Sequence, residues 1–166
     1  MLKKTQKVAI YMQGFLHSDF GKMGIGIIRY LENPIVGVID TENAGSNINI
    51  EHEIDRDIPI FSSLEEVLKK GAEVLVLGIA PSGGKIPKDW LPMIKDAINK
   101  GISIINGLHD TLGDRFNKKI KNRENQWIWD VRVPKISCEI ATAKASKLTN
   151  KRVLMIGTDM AFGKKT

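Results

Sequence analysis

Glu73-Val74-Leu75-Val76-Leu77-Gly78 sets four consecutive apolar residues between a glutamate and a glycine. A strand with one face in water would alternate, so an unbroken run of this kind predicts a strand covered on both faces, as in a parallel sheet. Parallel strands need crossovers of helix length, and both flanks supply them. Upstream, Ser62-Ser63-Leu64-Glu65-Glu66 places a glutamate three residues after each serine, the pattern of a capped helix start, and Gly71 suits its end. Downstream, a helix from about Lys88 to Lys100 ends at Gly101 and feeds the strand Ile102-Ser103-Ile104-Ile105. Further out, Lys7-Val8-Ala9-Ile10-Tyr11-Met12 is the first strand, followed by a helix near Gly21 to Leu31. Ile35-Val36-Gly37-Val38-Ile39 is the second strand, closing on Asp40. Ile58-Pro59-Ile60 reads as a third, its proline arguing for an edge or a strand start. Thr41 to Asp57 has no useful periodicity and predicts a long exposed connection; Thr111 to Asn122 predicts a helix, and Gln126 to Trp129 a last short strand. This alternation implies an α/β fold, a doubly wound, mostly parallel sheet with helices on both faces and right-handed crossovers. Functional groups in such sheets collect at the carboxyl ends of the strands, after Met12, Ile39, Gly78, Ile105 and Trp129.

The chain has 166 residues, enough for one domain or for one domain and a fragment of another. A hydrophobic fraction of 42% with 27% charged residues excludes a disordered chain, and a net charge of +6 permits an anionic partner without requiring one. Apolar runs stop at four or five residues and the N-terminus lacks a signal-peptide layout, so no membrane partner and a cytoplasmic location are expected. The single cysteine, Cys138, excludes an intrachain disulfide or a Cys-rich zinc site. No set of His, Cys and carboxylates suggests a metal site. Arg115, Lys118, Lys119, Lys121 and Arg123 would spread over more than one helix face, which suits a solvated surface and gives no expectation of nucleic acid. Trp127 and Trp129 alternate with Ile128 as packing or interface aromatics, and a homo-oligomer is expected.

From Val133-Pro134-Lys135 the pattern changes, dividing the chain into residues 1–135 and 136–166. Ile136 to Thr149 predicts a mildly amphipathic helix and Val153-Leu154-Met155-Ile156 a strand. That strand runs into Gly157-Thr158-Asp159-Met160-Ala161-Phe162-Gly163-Lys164-Lys165-Thr166. A strand feeding a glycine-bounded loop that ends in Gly-Lys is the layout of a phosphate-binding P-loop. Gly157, Thr158, Asp159 and Gly163 would turn backbone N–H groups onto an anion, Lys164 would reach terminal phosphate oxygens, and Thr166 would supply the magnesium-binding hydroxyl. Five residues separate the glycines where four are common, a spacing that resembles the dethiobiotin-synthetase branch of P-loop enzymes. A plain strand-to-helix turn is the alternative. A P-loop also needs a following helix, further strands and an acidic magnesium ligand. These 166 residues therefore read as part of a longer two-domain protein, inactive and without cofactor by themselves.

Among single residues, Asp40 stands where a dinucleotide domain holds a ribose, but Gly14, Gly21, Gly24 and Gly26 do not form G-x-G-x-x-G. A site-lining or loop-capping carboxylate is the better expectation, and NAD is not expected. Gly83 and Gly84, in the loop after Gly78, could turn N–H groups toward a substrate carboxylate or phosphate, or could simply satisfy a turn. His109 could serve as a general base, the alternative being that it belongs to a helix cap begun by Asp110. Asp130 and Arg132 flank Val131 and would share a face, binding substrate amine and carboxylate or making structural ion pairs. His17 and His52 show no ligand spacing and are expected at the surface.

Several motifs taken together are more specific. Gly21-Lys22 with Arg29-Tyr30, Val38-Ile39-Asp40 with Ala44-Gly45, Gly78 to Gly84 with Trp90, Asn106-Gly107-Leu108-His109, Trp129 to Arg132 and the terminal Gly-Thr-Asp to Gly-Lys loop occur in order. In this the chain resembles the D-glutamate N-acetyltransferase-like family, two-domain proteins long described as a domain of unknown function. The resemblance implies a Rossmann-like N-terminal domain followed by a P-loop domain. It further implies acetyl transfer from acetyl-CoA to the amine of an acidic D-amino acid, a small-molecule substrate. Acetyl-CoA or a nucleotide, ATP with magnesium, would occupy the phosphate loop of the full-length protein. A non-catalytic ligand-binding or oligomerisation domain and a P-loop kinase or ligase are the competing readings.

Overall fold

The computed structural model describes residues 2–120, 122, 124–134 and 142–153. Six strands, β1 (Val8–Tyr11), β2 (Ile35–Ile39), β3 (Ile60–Phe61), β4 (Val74–Leu77), β5 (Ser103–Asn106) and β6 (Ile128–Asp130), form one sheet in the order β3-β2-β1-β4-β5-β6. Every neighbouring pair is parallel. The chain starts in the middle, runs out to one edge and then crosses back to build the other side. The resulting reversal point lies between β1 and β4, where open α/β sheets place their crevice.

Five α-helices, α1 (Lys22–Tyr30), α2 (Ile48–His52), α3 (Leu64–Lys69), α4 (Leu91–Asn99) and α5 (Gly113–Phe116), lie among the strands. Strand alternation sorts the core into two layers. Ala9, Tyr11, Leu75 and Leu77 face a cluster with Leu64 and Val67 of α3, Ile94 and Ile98 of α4, and Phe116 of α5. Val8, Ile10, Val74 and Val76 face the opposite cluster, with Ile28 of α1 and Ile48 of α2. All four residues of β4 are buried, as its unbroken apolar run requires. The fold class expected from the sequence is thus the one observed.

The local devices are also legible. Glu66 reaches back to the Ser63 N–H at 3.1 Å and to Ser62 N at 2.9 Å, closing the cap of α3. Gly71 and Gly101 both take φ +86° where a helix ends and a strand begins. Pro59 precedes the edge strand β3 and makes an isolated antiparallel bridge with Asn47.

Four expectations need correction. The 41–57 connection is not wholly exposed: Asn47 caps α2 through a 3.2 Å bond from Asn49 N, and Ile48 and Ile54 are buried. The helix expected over 111–122 is only α5 and a 3-10 turn, Asn117–Lys119, ending at an extended Ile120. The last strand starts two residues late, at Ile128, because Gln126 turns inward to donate to the carbonyls of Ile98 and Ile102. Among its described residues, the helix expected over 136–149 is a single 3-10 turn, Lys144–Lys147, preceded by Ala143 at φ +50°.

By its internal contacts the chain divides between Pro134 and Lys135, and all six strands belong to the first unit. No helix among the described residues is long and apolar enough to cross a membrane.

Candidate functional site

The carboxyl edge of the sheet is where β1, β2, β4, β5 and β6 end in polar or glycine-rich segments. Next to the reversal point it is lined by aromatic side chains. Tyr11, the last residue of β1, packs edge-on against Trp90 with ring centroids 4.2 Å apart, and Phe15 meets Trp90 at 6.0 Å. Burial, reinforced by the carboxylates of Asp89 and Asp40, pushes the Tyr11 phenol up to about 12. It therefore stays neutral at physiological pH. Trp90 is fully buried and its indole N–H has no partner among the described residues.

On the β4–β5–β6 side, the glycine loop and the histidine meet. Gly83 and Gly84 take φ +74° and +63°, a conformation side chains resist, and a Cβ on Gly84 would collide with the His109 ring. The His109 N–H donates to the Gly84 carbonyl at 2.7 Å, so loop and histidine are held together, with the His109 side chain exposed. Asp110 accepts from Ile86 N at 3.0 Å and ties the end of the same loop. The helix start read at Asp110 falls later, since α5 begins at Gly113.

Asp130 and Arg132 do not share a strand face. β6 ends at Asp130, and Val133 N bonds back to the Asp130 carbonyl at 3.1 Å, so Arg132 lies in a turn. Asp130 accepts from Leu112 N at 3.0 Å, Gly113 N at 2.7 Å and Asn106 Nδ2 at 2.8 Å. A carboxylate already holding three donors at a helix start is occupied in structure. Arg132 Nε donates to the Gly107 carbonyl at 2.7 Å. Asn106, fully buried at the end of β5, braces both sides by accepting from Leu108 N.

On the β1–β2 side, Asp40 is fully buried, accepting from Glu42 N at 3.1 Å and Asn43 Nδ2 at 3.2 Å. Asn43 passes the chain on, its Oδ1 accepting from His17 Nε2 at 3.2 Å. His17 also lies 3.2 Å from Glu51, and its ring stacks on His52 with centroids 5.2 Å apart. The two histidines expected separately at the surface are therefore one unit, joined to Asp40. Sequence spacing could not show this, because the residues come from different loops. The available signal was Asn47 as a helix cap framed by the apolar Ile48 and Ile54, which would have folded 41–57 inward. A cavity of roughly 420 Å³ opens beside this pair, between the segment after β1, the exposed face of α1 and the end of α2.

The phosphate-loop residues Gly157, Thr158, Asp159, Gly163, Lys164 and Thr166, and the expected strand through Ile156, lie outside the described residues beyond Val153. Among the described residues no group of three or more His, Cys, Asp or Glu is placed to hold a metal ion.

A parallel sheet in this order, with its loops gathered at the carboxyl edge, defines a Rossmann-like α/β domain. Residues 41–134 match the family model described as "Domain of unknown function (DUF1611_N) Rossmann-like domain", and the chain belongs to that family. A relative from Pseudoalteromonas sp., named D-glutamate N-acetyltransferase, is 42% identical over 104 residues, covering 61% of this chain and 30% of its own length. A second of the same name, from Tritonibacter scottomollicae, is 32% identical over 144 residues, covering 86% of this chain and 40% of its own. The crystal structure of a DUF1611 family protein from Anabaena variabilis superposes with a TM-score of 0.79 at 40% identity, over 95% of this chain and 46% of that one. This chain thus spans less than half the length of each.

Proposed function

We propose that the chain is the Rossmann-like N-terminal part of an N-acetyltransferase that moves the acetyl group of acetyl-CoA onto the amine of an acidic D-amino acid. The observation that carries this reading is the 42% identity to a relative named D-glutamate N-acetyltransferase. In this reading the 157–166 loop binds acetyl-CoA or a nucleotide, and the protein works in the cytoplasm as a homo-oligomer. The neutral amine attacks the thioester carbon, a base takes the amine proton, the carbon–sulfur bond breaks with CoA leaving as thiolate, and the base passes that proton to the sulfur. His109, exposed and held on the Gly83-Gly84 loop, is the base in this scheme.

Labelled acetyl-CoA and D-glutamate, incubated with the full-length protein, provide the test. Accumulation of labelled N-acetyl-D-glutamate is the expected result, with loss of most turnover in His109→Ala. No transfer and no CoA binding would overturn the reading, and ATP-dependent consumption of substrate would replace it with a P-loop kinase or ligase. The 166 residues alone are expected to show no turnover.

A further inference from the structure

Of the residues from Asn106 to Asp110, only His109 is exposed. Leu108 beside it is 2% exposed and packs in the same core layer as Trp90 and Phe116. The histidine therefore stands outward from a turn whose other residues are held in.

The group that holds them is the side chain of Asn106, fully buried at the end of β5. Its Oδ1 accepts from the N–H of Leu108, the residue before the histidine, at 3.0 Å. Its Nδ2 donates to the carbonyl of Asp110, the residue after it, at 2.6 Å. One planar amide thus spans His109 and is tied to the chain on each side. Nδ2 also donates to Asp130 Oδ1 at 2.8 Å, so the amide is itself anchored to β6. Across from the turn, the Gly84 carbonyl accepts from His109 N at 2.7 Å, and Asp110 accepts from Ile86 N at 3.0 Å. The 84–86 loop fixes the histidine from one side and Asn106 fixes it from the other.

An amide suits this place better than its neighbours in chemistry. A carboxylate would set oxygen against both the Asp110 carbonyl and Asp130, and serine would keep an oxygen for Leu108 N but stop one bond short of Asp110. Precision matters here because a base is effective only at the right distance and angle, and a misplacement of about 1 Å can cost about a hundredfold in rate. Gly84 sharpens the requirement: a Cβ there would collide with the His109 ring, so the ring lies directly on loop backbone.

We propose that Asn106 is the positioning residue for His109, its buried amide setting where the imidazole stands to take the proton of the attacking amine. The proposal rests on the acetyltransferase reading for the role of His109; the tie between Asn106 and the turn does not.

The test is a double-mutant cycle on the full-length protein, read in acetyl transfer to D-glutamate. Asn106→Ser is expected to lower kcat about tenfold or more, with KM for acetyl-CoA within about twofold of the parent. In a His109→Ala background the same substitution should cost nothing further, because its effect runs through the histidine. Hydrogen exchange gives a reading independent of turnover. The His109 amide, bonded to Gly84, should exchange at least about tenfold faster in Asn106→Ser, while the Ile104 amide, bonded to Trp127, keeps its rate. Should Asn106→Ser fail to fold, Asn106→Thr keeps the hydroxyl, fills more of the space and carries the same cycle. Equal losses of kcat in both backgrounds, or equal acceleration of both amides, would show that Asn106 serves only the fold and would overturn the proposal. Unchanged kcat in Asn106→Ser would overturn it too. Full turnover in His109→Ala would sink the histidine as base, and the positioning role with it, while leaving the acetyltransferase reading standing. No acetyl transfer by the parent protein would sink that reading, and the exchange rates would still decide whether Asn106 holds His109.

Discussion

Single residues at the carboxyl edge divide by how their hydrogen-bonding capacity is used. Asp130 illustrates one end, holding Leu112 N, Gly113 N and Asn106 Nδ2 with two carboxylate oxygens. Removing it strands two backbone donors at the start of α5 and one amide hydrogen of a buried asparagine. Asp130→Ala is expected to cost about 2 kcal/mol, read from urea unfolding, with little change in affinity for acidic amino acids. A large loss of affinity at unchanged stability would return Asp130 to substrate binding. His52 marks the other end, half-buried, with its Nε2 out of contact with solvent and without a partner among the described residues. The sequence could not rank these two, because a carboxylate at a strand end reads the same whether its partners are backbone or substrate. Only Asp40 was read in a way that included loop capping, and it does cap Glu42 N.

At the scale of elements, α1 is fixed against the sheet by close contact. Gly24 N donates to the Gly78 carbonyl at 2.9 Å, and a Cβ on Gly24 would stand 2.6 Å from that same oxygen. Gly26, one turn-face away, has nothing within 4 Å. Alanine gains about 1 kcal/mol over glycine inside a helix, whereas overpacking against a backbone atom costs about 1–3 kcal/mol. Gly26→Ala is therefore expected to raise the Tm and Gly24→Ala to lower it; equal shifts would show that α1 does not approach the sheet this closely. Elements with a strong local signature were legible: β4 from its unbroken apolar run, α3 from Ser63 and Glu66, and two helix ends from Gly71 and Gly101. The failures share a cause. α2 and α5 have five and four residues, too short for helical periodicity to register, and tertiary contacts of Ile48 and Phe116 hold them.

At the scale of the whole molecule, both core layers and all six strands lie before Lys135. A protein ending at Pro134 is expected to unfold in one cooperative transition, within a few degrees of the 166-residue chain. A large fall in Tm, or loss of cooperativity by calorimetry, would show that later residues complete the fold. The doubly wound architecture was readable because each strand–helix–strand step leaves its own period in the sequence, and the relatives match it along the chain.

The strand order also sets how the domain can assemble as it leaves the ribosome. β1 is synthesised first and stays central, with β2 and β3 laid outward on one flank before β4 opens the other. Each later strand then docks on an edge that is still free, and none has to be wedged between strands already joined. The final strand brings Asp130, which fastens Asn106 and the start of α5. The loop carrying His109 is thus locked by nearly the last residue of the domain to emerge, so nascent chains halted before that point would carry the sheet without a finished edge.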